Sequence, residues 1–349
     1  MPVMPAIFLF EKLRKGMERK MIEVKNLTKT YGTHKAVSDI SFTVDGGKVY
    51  GFLGPNGAGK STTMNMITGC LAATSGTVKI DGLDIFEDYV EAKKRIGYLP
   101  EQPPVFMDMT PTEYLNFVAD VKKIDKKQRA EKIKDIMEKT GIDVVADRLI
   151  KNLSKGYKQR VGIAQALIGE PSIIILDEPT VGLDPKQIMD IRSLIRELGK
   201  THTVILSSHI LSEVQAVCDE VLIISKGKLV ACDTPENLEN LFAGSVSLEI
   251  TARCTINTAN DIVKAIPGVE SVKCLDKGEF TDIIINAEKN SEITEKIFFA
   301  FSDAKIPLYK LIEKTASLED IFIELTSNEE KVTEENTSEQ ISEEEGNEQ

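Results

Sequence analysis

The stretch Gly54-Pro55-Asn56-Gly57-Ala58-Gly59-Lys60-Ser61-Thr62 decides the fold of this 349-residue chain. It follows an apolar run at Val49–Leu53, which predicts a buried strand, and it precedes a segment of helical character. Glycines at these spacings let backbone N–H groups turn inward around a phosphate, and the N-terminus of the next helix adds its dipole. In such a loop we expect Lys60 to reach the β- and γ-phosphates of a nucleotide and the Ser61 hydroxyl to ligate Mg²⁺.

Two carboxylates follow a second apolar run, Ile173–Leu176, which predicts a central strand. Ligands of open parallel sheets bind at the carboxyl ends of the strands, so Asp177 and Glu178 are expected beside the phosphate-binding loop. Asp177 would hold Mg²⁺, directly or through water, and Glu178 would orient and polarise the attacking water as a general base. Two acidic residues after a strand can also serve only to cap the following helix. The presence of a phosphate-binding loop in the same chain favours the catalytic role over this capping role.

Four further segments, taken with the loop, resemble an ATP-binding cassette ATPase between Met21 and Leu241, in family order and at family spacing. The resemblance implies an α/β P-loop NTPase cassette with a central, mostly parallel sheet, an antiparallel β subdomain and a helical insertion. It also implies ATP and Mg²⁺ as cofactors. The four segments are Leu153-Ser154-Lys155-Gly156-Tyr157-Lys158-Gln159-Arg160, Asp177-Glu178-Pro179-Thr180, Gly182-Leu183-Asp184-Pro185 and Ser207-Ser208-His209.

The resemblance also assigns roles to single residues. It implies that Tyr31 stacks on adenine and that His209 contacts the γ-phosphate, as a catalytic residue beside Glu178. Gln102 would touch Mg²⁺ or the attacking water, and Asp184 would couple the two sites of a dimer. From the residues alone, Tyr31 could also be a turn aromatic, Gln102 a solvated loop residue and His209 the start of a helix. The implied ATP-binding residues are Tyr31, Gly54, Pro55, Asn56, Gly57, Ala58, Gly59, Lys60, Ser61, Thr62, Ser154 and Gly156, and the implied Mg²⁺ ligands are Ser61, Gln102 and Asp177.

One segment departs from the family pattern. The family signature is most often LSGGQ, whereas this chain has Leu153-Ser154-Lys155-Gly156-Tyr157, in which Tyr157 replaces the glutamine. Ser154 and Gly156 keep the hydroxyl and the backbone N–H that the family directs at the γ-phosphate. The phosphate-binding loop and the signature of one cassette cannot meet each other, so the resemblance implies ATP bound between two cassettes in a head-to-tail dimer.

Changes in composition and in residue pattern along the chain predict its domain organisation. We expect residues 1–20 to be an extension, either upstream of a true start at Met17 or Met21 or a short basic amphipathic anchor. The acidic end is too polar to fold alone and is expected to be disordered. The predicted divisions are an extension at 1–20, the cassette at 21–241 with a helical insertion at about 87–164, a small accessory α+β domain at 245–326, and the tail at 328–349.

Composition limits the function classes. A net charge of −12 provides no basic face for a nucleic acid, and we expect no nucleic-acid partner. The five cysteines form no CxxC pair, which suits a reducing cytosol. No apolar run reaches the ~18–20 residues that a membrane span needs. We therefore expect the chain to work at the cytoplasmic face of the cell membrane through a separate permease.

The signature variant and the segment Ala316–Phe322 are similar to those of single-cassette subunits of bacterial exporters, of the drug-resistance and gliding-motility types. This likeness favours the ATPase subunit of a transporter, in the direction of export. A soluble relative acting in translation or DNA repair is the alternative, although such relatives usually have two cassettes in one chain. We expect the permease to dock on the Pro-rich loop that follows Gln102, where Phe106, Met107 and Met109 would be wasteful if exposed to water. These three side chains could also pack on their own domain.

Overall fold

The structure is a computed structural model that describes residues 20–242, 245–288 and 292–315. The chain divides into two units with the boundary between Asp233 and Thr234. Residues 1–19 of the predicted extension and the whole predicted acidic tail lie outside the described residues. Among the described residues, no helix is both long enough and apolar enough to cross a membrane.

The first unit alternates strands and helices. Its elements, in chain order, are β1 (Lys20–Tyr31), β2 (His34–Asp45), β3 (Val49–Leu53), α1 (Lys60–Ile67), β4 (Ser75–Ile80), β5 (Leu83–Asp84), α2 (Tyr89–Lys94), β6 (Ile96–Leu99), α3 (Pro111–Val121), α4 (Lys126–Thr140), the 3₁₀ turns Asp143–Val145 and Ile150–Asn152, α5 (Lys155–Leu167), β7 (Ile173–Leu176), α6 (Pro185–Gly199), β8 (Thr203–Ser208), α7 (Leu211–Val217), β9 (Glu220–Ser225) and β10 (Lys228–Asp233).

Six of these strands form the central sheet, in the order β10-β9-β3-β8-β7-β6. The pairs from β9 through β6 are parallel, and β10 is antiparallel to β9. Every residue of β3, β7 and β8 is buried, as expected for strands covered on both faces. Because these strands are parallel, their carboxyl ends meet at one edge of the sheet. A second sheet, β2-β1-β4-β5, is antiparallel and shares its apolar core with the central sheet.

Helix starts follow local capping chemistry. Thr110 and Glu113 form a capping box at the start of α3, with Pro111 in the first helical position. Ser154 caps α5 by accepting a hydrogen bond from the Tyr157 N–H, and Asp184 caps α6 in the same way from Gln187. Ser154 of the expected signature segment and Asp184 of the expected coupling segment therefore also determine where α5 and α6 begin.

The predicted helical insertion at about 87–164 differs from the structure in one element. Residues 96–99 form β6, the edge strand of the central sheet, so the uninterrupted helical part begins at Pro111. Four residues are too few to break the helical periodicity of the sequence around them. The strand forms because Ile96–Leu99 pairs in parallel with β7, and because Gly97 allows the Ala166 carbonyl to approach closely: a Cβ on Gly97 would lie 2.2 Å from that oxygen.

The second unit is a small α+β domain. Its elements, in chain order, are α8 (Pro235–Phe242), β11 (Ser245–Ala252), α9 (Ile256–Lys264), β12 (Val269–Asp276), β13 (Thr281–Glu288), α10 (Ile293–Asp303) and β14 (Leu308–Thr315). The four strands form one antiparallel sheet in the order β12-β13-β11-β14, and the core joins β11 and β13 to α9 and α10. This βαββαβ succession has the split, ferredoxin-like arrangement. The predicted fold class of cassette plus small α+β domain is confirmed.

Candidate functional site: a nucleotide cavity and a separate signature pocket

The phosphate-binding loop joins β3 to α1 at the carboxyl edge of the central sheet. Gly57 and Gly59 have φ values of 81° and 103°, which other residues rarely adopt. A Cβ on Gly59 would also lie 2.5 Å from the carbonyl oxygen of Ala36, so no larger residue fits there without a shift. The loop therefore has the tight backbone turn that its glycine spacing predicts.

Lys60 is buried within this loop. Its Nζ donates hydrogen bonds to the carbonyl oxygens of Gly54 at 2.8 Å and Pro55 at 3.2 Å. It also lies 3.4 Å from Oε1 of Glu178, and the two side chains are only 6% and 8% exposed. A buried ammonium group and a buried carboxylate each need such partners, because removal from water disfavours their charges. The cation and the carboxylate compensate each other at the floor of the site.

Ser207, for which the sequence predicted no role, bridges Asp177 and Glu178 by hydrogen bonds. Ser207, at the end of β8, donates a hydrogen bond from Oγ to Oδ1 of Asp177 and accepts one from the N–H of Glu178 at 2.9 Å. Strands β7 and β8 are parallel neighbours, so their carboxyl ends lie side by side. A serine directly after the apolar run Val204–Leu206 was the available signal.

Ser61 and Asp177 present the oxygen atoms that Mg²⁺ prefers. The Ser61 hydroxyl lies 3.3 Å from Oδ1 of Asp177. Mg²⁺ in nucleotide sites usually takes one or two protein ligands and completes its shell with phosphate oxygens and water. Among the described residues, no group of three or more His, Cys, Asp or Glu side chains could hold a metal alone. The hydroxyl and the carboxylate fit a Mg²⁺ that arrives with a nucleotide.

Glu178 and His209 are in direct contact. Nδ1 of His209 lies 2.9 Å from Oε2 of Glu178, and the imidazole is 38% exposed whereas the carboxylate is buried. Glu178 has a φ of 48°, which is uncommon for a residue other than glycine and often marks a functional position. The imidazole thus stands between the carboxylate and the solvent side of the site.

Lys60, Ser61, Glu178 and His209 line one cavity of about 550 Å³, whereas Asp177 is not part of its lining. Tyr31 stands at its edge, 50% exposed, with Nζ of Lys29 at 5.2 Å from the centre of its ring. Gln102 is exposed and is not part of the lining, whereas the preceding Glu101 is. The lining residues are Tyr31, His34, Ala36, Asn56, Gly57, Gly59, Lys60, Ser61, Thr62, Glu101, Glu178, Val181 and His209.

The signature and coupling residues line a different pocket, of about 290 Å³. Ser154 and Gly156 lie there with Asp184, so the structure does not bring them to the nucleotide cavity of the same chain. Gly156 lies close to Gln187, since a Cβ there would lie 2.8 Å from Cδ of Gln187 and the glutamine side chain would have to shift. The whole lining consists of Gly141, Ser154, Gly156, Tyr157, Arg160, Asp184, Lys186, Gln187 and Asp190.

A phosphate-binding loop with its carboxylates at one edge of a parallel sheet, and a separate signature pocket, define a nucleotide-binding cassette. Comparisons with known proteins agree. The family model described as ABC transporter matches residues 37–181. The chain is 35% identical over 315 residues to the uncharacterized ABC transporter ATP-binding protein YhcH of Bacillus subtilis (strain 168), a match that covers 88% of this chain and 96% of that protein. The chain belongs to the family of ABC transporter ATP-binding proteins.

Two further relatives extend the comparison. The linearmycin resistance ATP-binding protein LnrL of Bacillus subtilis (strain 168) is 32% identical over 308 residues, covering 88% of this chain and 98% of that protein. Among solved structures, the dimeric post-hydrolysis state of the ATP-binding cassette MJ0796, bound to ADP and Pi, is similar with a TM-score of 0.56 and 26% identity. The match covers 61% of this chain and 98% of the MJ0796 chain. The chain is therefore an ATP-binding subunit of the ABC ATPase class.

Proposed function

We propose that this protein hydrolyses ATP as a head-to-tail dimer and so energises export through a separate membrane permease, at the cytoplasmic face of the membrane. The observation that carries the proposal is the division of the expected ATP-contacting residues between two pockets. Lys60 and Ser61 line one pocket, and Ser154 and Gly156 line the other. In a two-fold dimer, the signature pocket of one copy would close over the nucleotide cavity of its partner.

The chemistry follows from the groups around the nucleotide cavity. Lys60 would exchange its loop carbonyls and Glu178 for phosphate oxygens, and Ser61 and Asp177 would hold Mg²⁺, which supplies charge neutralisation at the phosphates when it is bound. Glu178 would then be free to accept a hydrogen bond from the attacking water and to act as a general base. His209, already 2.9 Å from that carboxylate, would orient it and reach the γ-phosphate.

Gln102 needs a rearrangement to take part. It is exposed and outside the cavity lining, so its proposed contact with Mg²⁺ or water requires the loop after β6 to move inward on nucleotide binding. The same loop leads directly to Phe106 and Met107. A movement of the loop toward the nucleotide would therefore also move the surface on which we propose that the permease docks.

That surface consists of exposed aromatic and apolar side chains, which we name the aromatic patch: Phe106, Met107, Phe117 and Val121. They are 49%, 45%, 41% and 65% exposed, respectively. The ring centres of Phe106 and Phe117 are 5.2 Å apart in an edge-to-face arrangement. Exposed clusters of this kind favour a protein partner, and a short amphipathic helix of a permease suits the patch. Met109, also expected to dock, is only half-exposed.

The patch is joined by backbone hydrogen bonds to the segment that precedes the signature. The Ile150 N–H donates to the Met109 carbonyl at 2.8 Å, and the Lys151 N–H donates to the Met107 carbonyl at 3.0 Å. The 3₁₀ turn that contains both donors ends two residues before Ser154. A displacement of the patch by a permease would therefore reach the signature pocket through a short, bonded route.

Reconstitution tests the proposal. The chain and the permease encoded beside it are placed in vesicles, and ATP hydrolysis and substrate movement are measured together. We expect hydrolysis to require two copies of the chain and to be stimulated by the permease, with transport out of the compartment that corresponds to the cytoplasm. The name of the linearmycin resistance relative suggests antimicrobial compounds as the first substrates to try. Full hydrolysis by a monomer would contradict the dimer, and the absence of any permease partner would favour the soluble alternative.

A further inference from the structure

A buried acidic side chain is hydrogen-bonded to the two segments that bear the proposed catalytic groups. Glu213, in the first turn of α7, is 4% exposed. Its Oε2 accepts a hydrogen bond from Oγ1 of Thr180 at 2.5 Å and another from Oγ of Ser208 at 3.1 Å. Thr180 and Ser208 are themselves buried. Burial of a carboxylate costs free energy unless hydrogen bonds compensate it, and these two hydroxyl donors supply that compensation at one oxygen.

The two donors belong to the two chain segments that present the catalytic groups. Thr180 follows Glu178 by two residues in the turn after β7, and Ser208 directly precedes His209 at the end of β8. The Ser208 hydroxyl also accepts a hydrogen bond from the Ile210 N–H at 3.0 Å, which fixes the backbone on the other side of His209. One carboxylate oxygen thus ties both segments together.

We propose that Glu213 is a positioning residue for ATP hydrolysis, which keeps the segment bearing Glu178 in register with the segment bearing His209. The inference rests on the proposed function, in which Glu178 activates the attacking water. Ser207 makes a similar connection on the nucleotide side, through Asp177 and the N–H of Glu178. The segment that bears Glu178 is therefore held by the hydrogen bonds of Ser207 and, through Thr180, by a second network that is centred on Glu213.

The network also reaches the helix that begins at the signature pocket. Nη2 of Arg192 lies 3.8 Å from Oε1 of Glu213, and the guanidinium provides the charge that a buried carboxylate needs. Arg192 lies on α6, whose first turn is capped by Asp184 in that pocket. A shift of α6 on dimer closure would act on Glu213 directly, so the same carboxylate couples the dimer contact to the position of Glu178.

The test compares Thr180→Val with Thr180→Ser in the full-length chain. Valine keeps the shape of threonine but removes the hydroxyl that donates to Glu213, whereas serine keeps it. We expect Thr180→Val to lower kcat by about tenfold or more, as a small misplacement of a catalytic group does. The Kd for a fluorescent ATP analogue should stay within about threefold, because the phosphate-binding loop is untouched. Thr180→Ser should recover kcat to within about twofold of the unmodified protein.

Glu213→Gln provides the second arm, with Glu197→Gln as its matched control. Both changes remove one carboxylate, but the Glu197 side chain is 67% exposed. We expect Glu213→Gln to lose kcat with little change in the Kd for the analogue, and Glu197→Gln to match the unmodified protein. If a Thr180 variant does not fold, Ser208→Ala replaces it, because that change removes the other hydroxyl donor. Failure of both to fold would assign the network to stability alone and overturn the inference.

Glu178→Gln separates this inference from the proposed function. Unchanged hydrolysis by Glu178→Gln would overturn the proposed base and, with it, the positioning role. Loss of hydrolysis by Glu178→Gln together with an unaltered kcat in Thr180→Val would leave the proposed function standing and overturn only the role of Glu213. A loss of kcat in Thr180→Val that Thr180→Ser does not recover would also overturn that role.

Discussion

Nζ of Lys60 lies 3.4 Å from Oε1 of Glu178, with both side chains almost completely buried. The cation that is expected to bind phosphate and the carboxylate that is expected to activate water are therefore partners before a nucleotide arrives. In the proposed mechanism, binding of the phosphates separates the two side chains, so that the carboxylate becomes free to act on water. We therefore expect nucleotide binding to be coupled to the release of the proposed general base.

Glu178→Gln tests this coupling. The amide cannot act as a base, so we expect turnover to fall by on the order of 10²-fold or more. ATP affinity should be equal or tighter, because Lys60 no longer has to leave a carboxylate partner. With hydrolysis blocked, a nucleotide-bound dimer should accumulate on size-exclusion chromatography. Turnover rates, the Kd for an ATP analogue and elution volumes together check the prediction.

Glu220→Gln is the matched control for this experiment. It removes another Glu–Lys pair, in which Oε1 of Glu220 lies 2.6 Å from Nζ of Lys48, away from the nucleotide cavity. We expect that variant to hydrolyse ATP normally. An active Glu178→Gln protein would show that another group removes the proton from water.

Ser154→Ala separates the two half-sites. The hydroxyl caps α5 and is expected to meet the γ-phosphate of the partner cassette, so its loss should abolish dimer-dependent hydrolysis. Loss of an N-cap should also lower the free energy of unfolding by about 1 kcal/mol. Binding of an ATP analogue to the single chain should not change, because Ser154 does not line the nucleotide cavity. Calorimetric binding, sedimentation and ATPase assays give the three readouts.

Thr255→Ala controls for the effect of losing a helix cap. Thr255 caps α9 in the second unit and accepts a hydrogen bond from the Thr258 N–H, as Ser154 does from Tyr157. We expect a similar cost in stability without loss of hydrolysis. Equal loss of hydrolysis in both variants would mean that the defect of Ser154→Ala comes from stability and not from a missing contact with phosphate.

Much of the site could be predicted from the sequence because its key residues follow directly after buried strands. The strands predicted at Val49–Leu53 and Ile173–Leu176 have the same bounds in the structure, and the groups that follow them meet at one edge of the sheet. Ser207 directly follows the apolar run Val204–Leu206, but its hydrogen-bond partners, like those of Glu213, could not be predicted in this way. Their hydrogen bonds depend on the register of β7 against β8 and on the packing of α7, neither of which a single sequence states.

Short and edge strands were harder to predict for a related reason. β6 has only four residues, and β12 and β14 are the two edge strands of the second unit, with mixed exposed and half-buried residues. An edge strand has one paired neighbour and little buried surface, so the alternation of its side chains is weak. Long-range pairing, which is absent from the local pattern, determines where these strands form.

His202 predicts a dependence of stability on pH. Burial lowers the pKa of this imidazole from its ordinary value of 6.5, with Lys139 contributing in the same direction and the hydrogen bond to Leu198 opposing it. The unfolded chain therefore binds more protons than the folded protein as pH falls through 6.5, and stability decreases in that range. As the pH is lowered from about 7.5 to about 5, the free energy of unfolding of the unmodified protein should fall more than that of His202→Gln. Urea denaturation of both proteins across that range measures this difference. Parallel curves for the two proteins would contradict the shift.

The aromatic patch gives the test that decides whether the protein works in transport. Phe106→Asp with Met107→Asp places two carboxylates at exposed positions of the proposed docking loop, where a partner helix would have to desolvate them. The isolated variant should bind ATP and hydrolyse it within about threefold of the unmodified rate, since neither residue lines the nucleotide cavity. Co-purification with the proposed permease partner, and stimulation of hydrolysis by that partner, should both be lost.

Phe298→Asp with Phe299→Asp provides the matched control on the second unit. These rings are 49% and 58% exposed, close to the values for Phe106 and Met107, and they stack edge to face in the same manner as the patch does. Replacing both rings with Asp changes the net charge to the same extent as in the patch variant and likewise removes two large exposed apolar side chains. If the control keeps the permease and the patch variant loses it, the aromatic patch is the docking surface. If both keep it, the permease docks elsewhere, and if both lose it, the association depends on charge rather than on a particular surface.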